Sequence, residues 1–201
     1  VYEIDAGPQI SDDKLVNQMN KQVRYIIAVD PDTEKSGVAI VDRYERKLIS
    51  VTTMTFAQIL CYLVSDEQVL SEQSVLVLEA SWRISHNWHT RRYDNASVAA
   101  AKGYAVGRNH QIGYCIAAVA AQLGISVEEQ TPLRKCWQGM DRKITHRELS
   151  CFTNLNSLKK RTNQEERDAV LLAWVVADLP INSLGKPYGN SQKSRISGKS
   201  T

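Results

Sequence analysis

The chain has 201 residues, 43% of them hydrophobic and 23% charged, with a net charge of +3. That is enough for one domain with a sizeable core, in proportions ordinary for a globular protein, and too little charge to name a partner. The cysteines Cys61, Cys115, Cys136 and Cys151 include no Cys-x-x-Cys pair, which argues against a disulfide framework or zinc ribbon and for a reducing cytosol. No apolar run approaches a membrane span and no signal-peptide pattern opens the chain, so no membrane association is expected. A cytoplasmic protein, bacterial or phage-encoded, is the expectation; a start at Val1 also fits a processed organellar protein.

Three regions are expected: an N-terminal extension over 1–22, a domain over 23–180, and a basic flexible tail over 181–201. In the extension, Ser11-Asp12-Asp13 fits the cap of a short helix. The organising stretch is Tyr25 to Asp30, an apolar run that reads as a strand buried on both faces and ends on a carboxylate. After a turn, Gly37–Asp42 and Lys47–Met54 complete an antiparallel meander. A helix follows over 55–64, then a second apolar strand, Val75 to Leu78, ending on Glu79. A helix between two buried strands implies a parallel crossover.

From Ser81 to Tyr93, aromatic and basic residues interleave without core periodicity: Trp82, Arg83, His86, Trp88, His89, Arg91, Arg92 and Tyr93. Such a stretch can stack on bases and contact phosphates; its blander reading is a loop packed on a partner subunit. His86-x-x-His89 has metal-like spacing but no neighbouring cysteine, so phosphate or base contact is favoured over zinc. A long helix is expected from 95 or 96 to Leu123, its first half weakened by Gly103, Gly107 and Gly113 enough to allow a kink or an interruption. A short strand over 125–128 follows, and Thr131-Pro132 fits a helix start. Thr145-x-x-Glu148 and Thr162-x-x-Glu165 both fit capping boxes, the second opening a helix to Leu179. Between Thr131 and Arg161, eight basic residues face two acids, a surplus that favours a polyanion or simply a solvated face. The fold class expected is α/β, a mixed five-stranded sheet flanked by helices.

The acids carry the chemistry. Asp30 alone is an ordinary strand end. Glu79 after four apolar residues is harder to place on a surface. Asp168 shares a helix face with Leu171, Leu172, Val175 and Leu179. Glu165 lies one turn earlier on that face, as ligand or as capping glutamate, with Glu166 the weaker substitute. Parallel strands carry Asp30 and Glu79 to one sheet edge, where open α/β sheets place ligands. Two charges about 4 Å apart repel by roughly 4 kcal/mol at an effective dielectric near 20. Clustered carboxylates therefore protonate, spread or bind a cation, and all-oxygen donors suit Mg²⁺ or Mn²⁺.

Asp30-Pro31-x₅-Gly37, Glu79 and Glu165-x-x-Asp168-Ala169, in this order, resemble the RuvC-type Holliday-junction resolvases of the RNase H-like nuclease superfamily. The resemblance implies a homodimer that nicks a four-way DNA junction with Mg²⁺. It implies Asp30, Glu79, Glu165 and Asp168 as catalytic metal ligands, and Lys135 and Lys143 as basic residues near the scissile phosphate. Trp82 stands where the family carries an aromatic that stacks on a junction base. Arg83, Arg91, Arg92 and Arg134 are expected to join Lys135 and Lys143 in holding nucleic acid. Asp32 stands where the family has glycine, and Glu165 where it more often has aspartate, so substrate choice is less fixed than chemistry. The rivals are an RNA-processing nuclease of the same superfamily, a non-catalytic binding module for branched nucleic acid, and, last, an actin-like phosphotransferase.

Overall fold

The structure, a computed structural model, describes residues 23–84 except 68 and 70, 93–183, and 186–187. The expected extension, most of the tail, and Trp88, Arg91, Arg92, His86 and His89 lie outside the described residues. Strands β1 (Tyr25–Asp30), β2 (Ser36–Asp42), β3 (Lys47–Met54), β4 (Ser74–Glu79) and β5 (Val127–Gln130) form one sheet in the order β3-β2-β1-β4-β5. The first three pair antiparallel, whereas β4 runs parallel to β1, and β5 to β4. This is the mixed five-stranded α/β sheet expected.

Alternation along each central strand explains the layers, because successive side chains point to opposite faces. Ile26 and Ala28 of β1, Ala39 and Val41 of β2, and Val75 and Val77 of β4 face helix α5 (Gln164–Val176). Ile27, Val29, Val38, Ile40, Leu76 and Leu78 face α1 (Phe56–Ser65) and α2 (Ala96–Gln122). Both faces are covered, which is why the central strands read as continuous apolar runs. The registers Val29↔Leu78 and Asp30↔Gly37 bring Asp30 and Glu79 to the same edge.

Four local expectations are corrected. Helix α2 is a single 27-residue element with no break at its glycines, and its first half is mostly exposed. Thr131-Pro132 starts no helix: 131–136 is irregular, and Trp137 N–H and Gly139 N–H donate to the Arg142 and Lys143 carbonyls across a tight loop. Short helices α3 (His146–Ser150) and α4 (Leu155–Leu158) follow, α3 with the expected Thr145/Glu148 capping box. The cap of α5 is Asn163 paired with Glu166, one residue later than Thr162 and Glu165. That helix ends at Val176, and Asp178 at φ 57° turns the chain before Leu179. In the tail, β6 (Asn182–Ser183) pairs with β7 (Lys186–Pro187). Among the described residues no helix is long and apolar enough to cross a membrane.

Candidate active site

A pocket of about 240 Å³ opens at the edge where β1 and β4 end. Asp30, Glu79, Glu165 and Asp168 line it from β1, β4 and α5, and Arg134, Lys135, Arg142 and Lys143 line it from the irregular segment opposite. Two features bring the first turn of α5 here. A Cβ built on Gly37, the register partner of Asp30, would overlap the Glu165 carbonyl, so only glycine lets the helix start lie on the strand. The capping box also falls on Glu166, which is 2% exposed, bonds the Asn163 N–H and pairs with Lys159. Its carboxylate is thereby committed to the helix end, and Glu165 faces the pocket instead.

The acids perturb one another. Burial, then Glu79 and Asp168, push Asp30 well above the ordinary carboxylate range, with Lys143 pulling the other way. Burial and Asp168 push Glu79 up to about 7, opposed by Lys143 and Lys135. Lys143 Nζ donates to Asp168 Oδ2 at 2.9 Å, and Gln164 Nε2 donates to Oδ1 at 2.7 Å. The Gln164 amide is itself oriented, because Arg167 Nη2 donates to its Oε1 at 2.8 Å while Arg167 holds the Ile144 and Thr162 carbonyls. Gln164, Arg167 and Arg142 were not singled out from sequence. The spacing Gln164-x-x-x-Asp168, one helical turn, was the available signal for the first.

Among the described residues no three acidic, histidine or cysteine side chains stand together as a ready-made metal cage. The four carboxylates line the pocket instead of closing on one point. Their chemistry nonetheless fits a hard divalent cation: the donors are all oxygen, and two of them are raised by burial and by neighbouring carboxylates, both of which a cation offsets.

The basic rim owes its shape to backbone. Asp141 and Arg142 adopt φ 54° and 60°, a left-handed pair rare for residues with side chains. The pair turns the loop so that Arg142 and Lys143 both reach the pocket. Arg134 and Lys135 are exposed beside them. Arg83 lies apart, its guanidinium on the Glu129 carbonyl at 3.1 Å and near the Glu129 carboxylate.

Trp82 follows the end of β4. Its half-buried indole packs on α2, with ring centroids 4.8 Å from Tyr114 and 6.2 Å from His110, and Nε1 reaches Glu129 Oε2 at 3.4 Å. A Cβ on Gly113 would overlap the ring. The indole is therefore wedged between the β4 end and a helix. His146 joins Thr162 and Asn156 through its two ring nitrogens.

No family model matches the chain, and no curated protein matches it. Solved structures similar to it include the Thermus thermophilus RuvC in complex with Holliday junction substrate. That chain is 13% identical, with 77% of this chain and 94% of that one covered at a TM-score of 0.42. A second, the Thermus thermophilus RuvC structure, is 13% identical over 77% of this chain and 95% of that one at 0.41.

Proposed function

We propose that the protein is a Mg²⁺-dependent endonuclease that resolves four-way DNA junctions by paired nicking, with Mn²⁺ able to substitute. The observation that carries this reading is one pocket with an acidic floor and a basic rim at the end of two parallel strands. A phosphodiester entering it meets cations on one side and the donors for a counter-cation on the other. Asp30, Glu79, Glu165 and Asp168 would hold the metal. Bound there, Mg²⁺ supplies activation of the attacking water and neutralisation of the leaving oxygen, which leaves a 5′-phosphate and a 3′-hydroxyl. Arg134, Lys135 and Arg142 bind the non-bridging phosphate oxygens and the flanking backbone. Lys143, which already donates to Asp168, lies within the same pocket as the phosphate. Paired nicks on a symmetric junction require two copies, so a homodimer belongs to this proposal.

A second reading is favoured by one observation, the lack of a preformed three-ligand cage among the described residues. On it, the protein binds branched nucleic acid without cutting. One assay separates the readings. A labelled four-way junction, its matching duplex and an RNA hairpin are incubated with the full chain in EDTA, Mg²⁺ and Mn²⁺. Metal-dependent cutting of the junction alone supports the resolvase; retention of the junction without cutting under either metal supports the binding module; preferential RNA cutting supports the RNA-processing rival.

A further inference from the structure

Both strand ends that carry metal-site acids are tied to the same short stretch of α2. After Asp30, the turn is held by a reciprocal pair: Thr33 N–H donates to Asn109 Oδ1 at 3.2 Å, and Asn109 Nδ2 donates to Asp32 Oδ2 at 3.1 Å. Asp32 closes the turn from within, accepting from Glu34 N–H at 2.8 Å and donating its own N–H to Ser36 Oγ at 3.0 Å. After Glu79, the next turn is held one helical turn along the same helix. There the Trp82 indole fills the space above Gly113 and meets His110 and Tyr114.

We infer that residues 109–114 of α2 set the spacing between Asp30 and Glu79, with Asn109 and Trp82 as the positioning residues. The inference rests on the metal-site reading above and assigns Trp82 a role other than base stacking. Its physical basis is that β1 and β4 are fixed to each other only up to Val29↔Leu78, the last register pair. Beyond that pair Asp30 keeps only its outer partner Gly37 and Glu79 only its outer partner Gln130, so what ties the two ends to a common element is α2, through the turns that follow them. A hydrogen-bonded amide on one side and an aromatic wedge on the other perform that task from one rigid element. Asp32 acquires a function in the same way. Where the related pattern has glycine, this chain has the carboxylate that Asn109 grips.

The test is Mn²⁺ affinity measured by electron paramagnetic resonance on the full chain, beside thermal melts in EDTA and junction binding in EDTA. Parent protein, Asn109→Ala, Asn109→Asp, Gly113→Ala, Trp82→Ala and Trp82→Phe are compared. Partners that orient metal ligands are worth roughly 10–100-fold in affinity. Asn109→Ala, Gly113→Ala and Trp82→Ala are expected to weaken Mn²⁺ binding about tenfold or more. Asn109→Asp is expected to weaken it further, since it sets a carboxylate against Asp32. Trp82→Phe, which keeps an aromatic wedge, should restore most of the loss. Melting points that fall while the Mn²⁺ dissociation constant stays unchanged would overturn the inference in favour of a purely structural contact. Loss of junction affinity by Trp82→Ala with unchanged Mn²⁺ binding would overturn it in favour of base stacking. A parent that binds no Mn²⁺ would remove the metal-site reading and this inference together.

Discussion

Gly37 and the Glu165 carbonyl occupy the same small space, so the first turn of α5 rests on the strand partner of Asp30. The obstacle a side chain would meet is backbone, which cannot swing aside as a lysine or arginine tip can. Gly37→Ala is therefore expected to displace the start of α5, costing about 1–3 kcal/mol by overpacking, and to weaken Mg²⁺-induced stabilisation. Gly103→Ala and Gly107→Ala meet open space on a helix and are expected to stabilise by about 0.5–1 kcal/mol. Urea denaturation with and without Mg²⁺ checks all three; equal behaviour of Gly37→Ala and the helix variants would remove the docking argument.

Stability should depend on pH with a sign set by the raised acids. Glu79 titrates near 7 when folded against 4.5 as its ordinary value. Between those values the folded protein holds a proton that the unfolded chain has released. Stability is therefore fully present below about 4.5 and is lost as pH rises through about 7, by on the order of 3 kcal/mol for this group. Asp30 acts in the same direction. Asp42, held below its ordinary value chiefly by its hydrogen bond from Arg24 against the opposing effect of burial, has already made its contribution above about pH 4 and does not disturb this window. In EDTA the melting temperature is expected to be higher near pH 5.5 than near pH 8. Glu79→Gln should flatten that slope, and Mg²⁺ should reverse much of the loss at high pH, because metal and protons compete for the same oxygens.

Lys143 opposes the shift at both Asp30 and Glu79 and bonds Asp168, whereas Lys135 acts on Glu79. Lys143→Met should push the proton affinity of Asp30 and Glu79 higher still, moving the pH-dependent loss of stability in EDTA to higher pH. Junction binding should weaken, and the slope of log affinity against log salt should shrink by about 1 if the lysine also contacts phosphate. An unchanged salt slope with a shifted pH profile would confine Lys143 to the carboxylates.

The sheet was legible because buried strands declare themselves as apolar runs, and the acids at their ends were legible because polar residues break those runs. The short-range competition between neighbours was not. Thr162/Glu165 and Asn163/Glu166 are both acceptable capping boxes on propensity alone, and the choice is made by tertiary contacts, Gly37 beneath Glu165 and Lys159 beside Glu166. Thr131-Pro132 likewise carries a helix-start signal, but the backbone downstream is taken by the loop that carries Arg142 and Lys143. Asn109 gave no signal at all, since its partners lie 76 and 77 residues away. Trp82 stood out as an aromatic among basic residues, but its packing had no local signal, since the glycine that receives the indole is on another element.

The choice between neighbouring glutamates can be decided directly. Glu165 lines the pocket, whereas Glu166 is buried, closes the capping box on Asn163 and pairs with Lys159. Glu166→Gln keeps one acceptor for the Asn163 N–H but leaves Lys159 without its charge, and removal of a cap is worth about 0.5–2 kcal/mol. It should lower the melting temperature while leaving the Mn²⁺ dissociation constant within about twofold of the parent. Glu165→Gln should do the opposite, barely affecting stability in EDTA and weakening Mn²⁺ by an amount in the roughly 10–100-fold range that even indirect metal partners reach. If instead Glu166→Gln is the variant that loses metal, the helix start must shift by one residue when the cation binds.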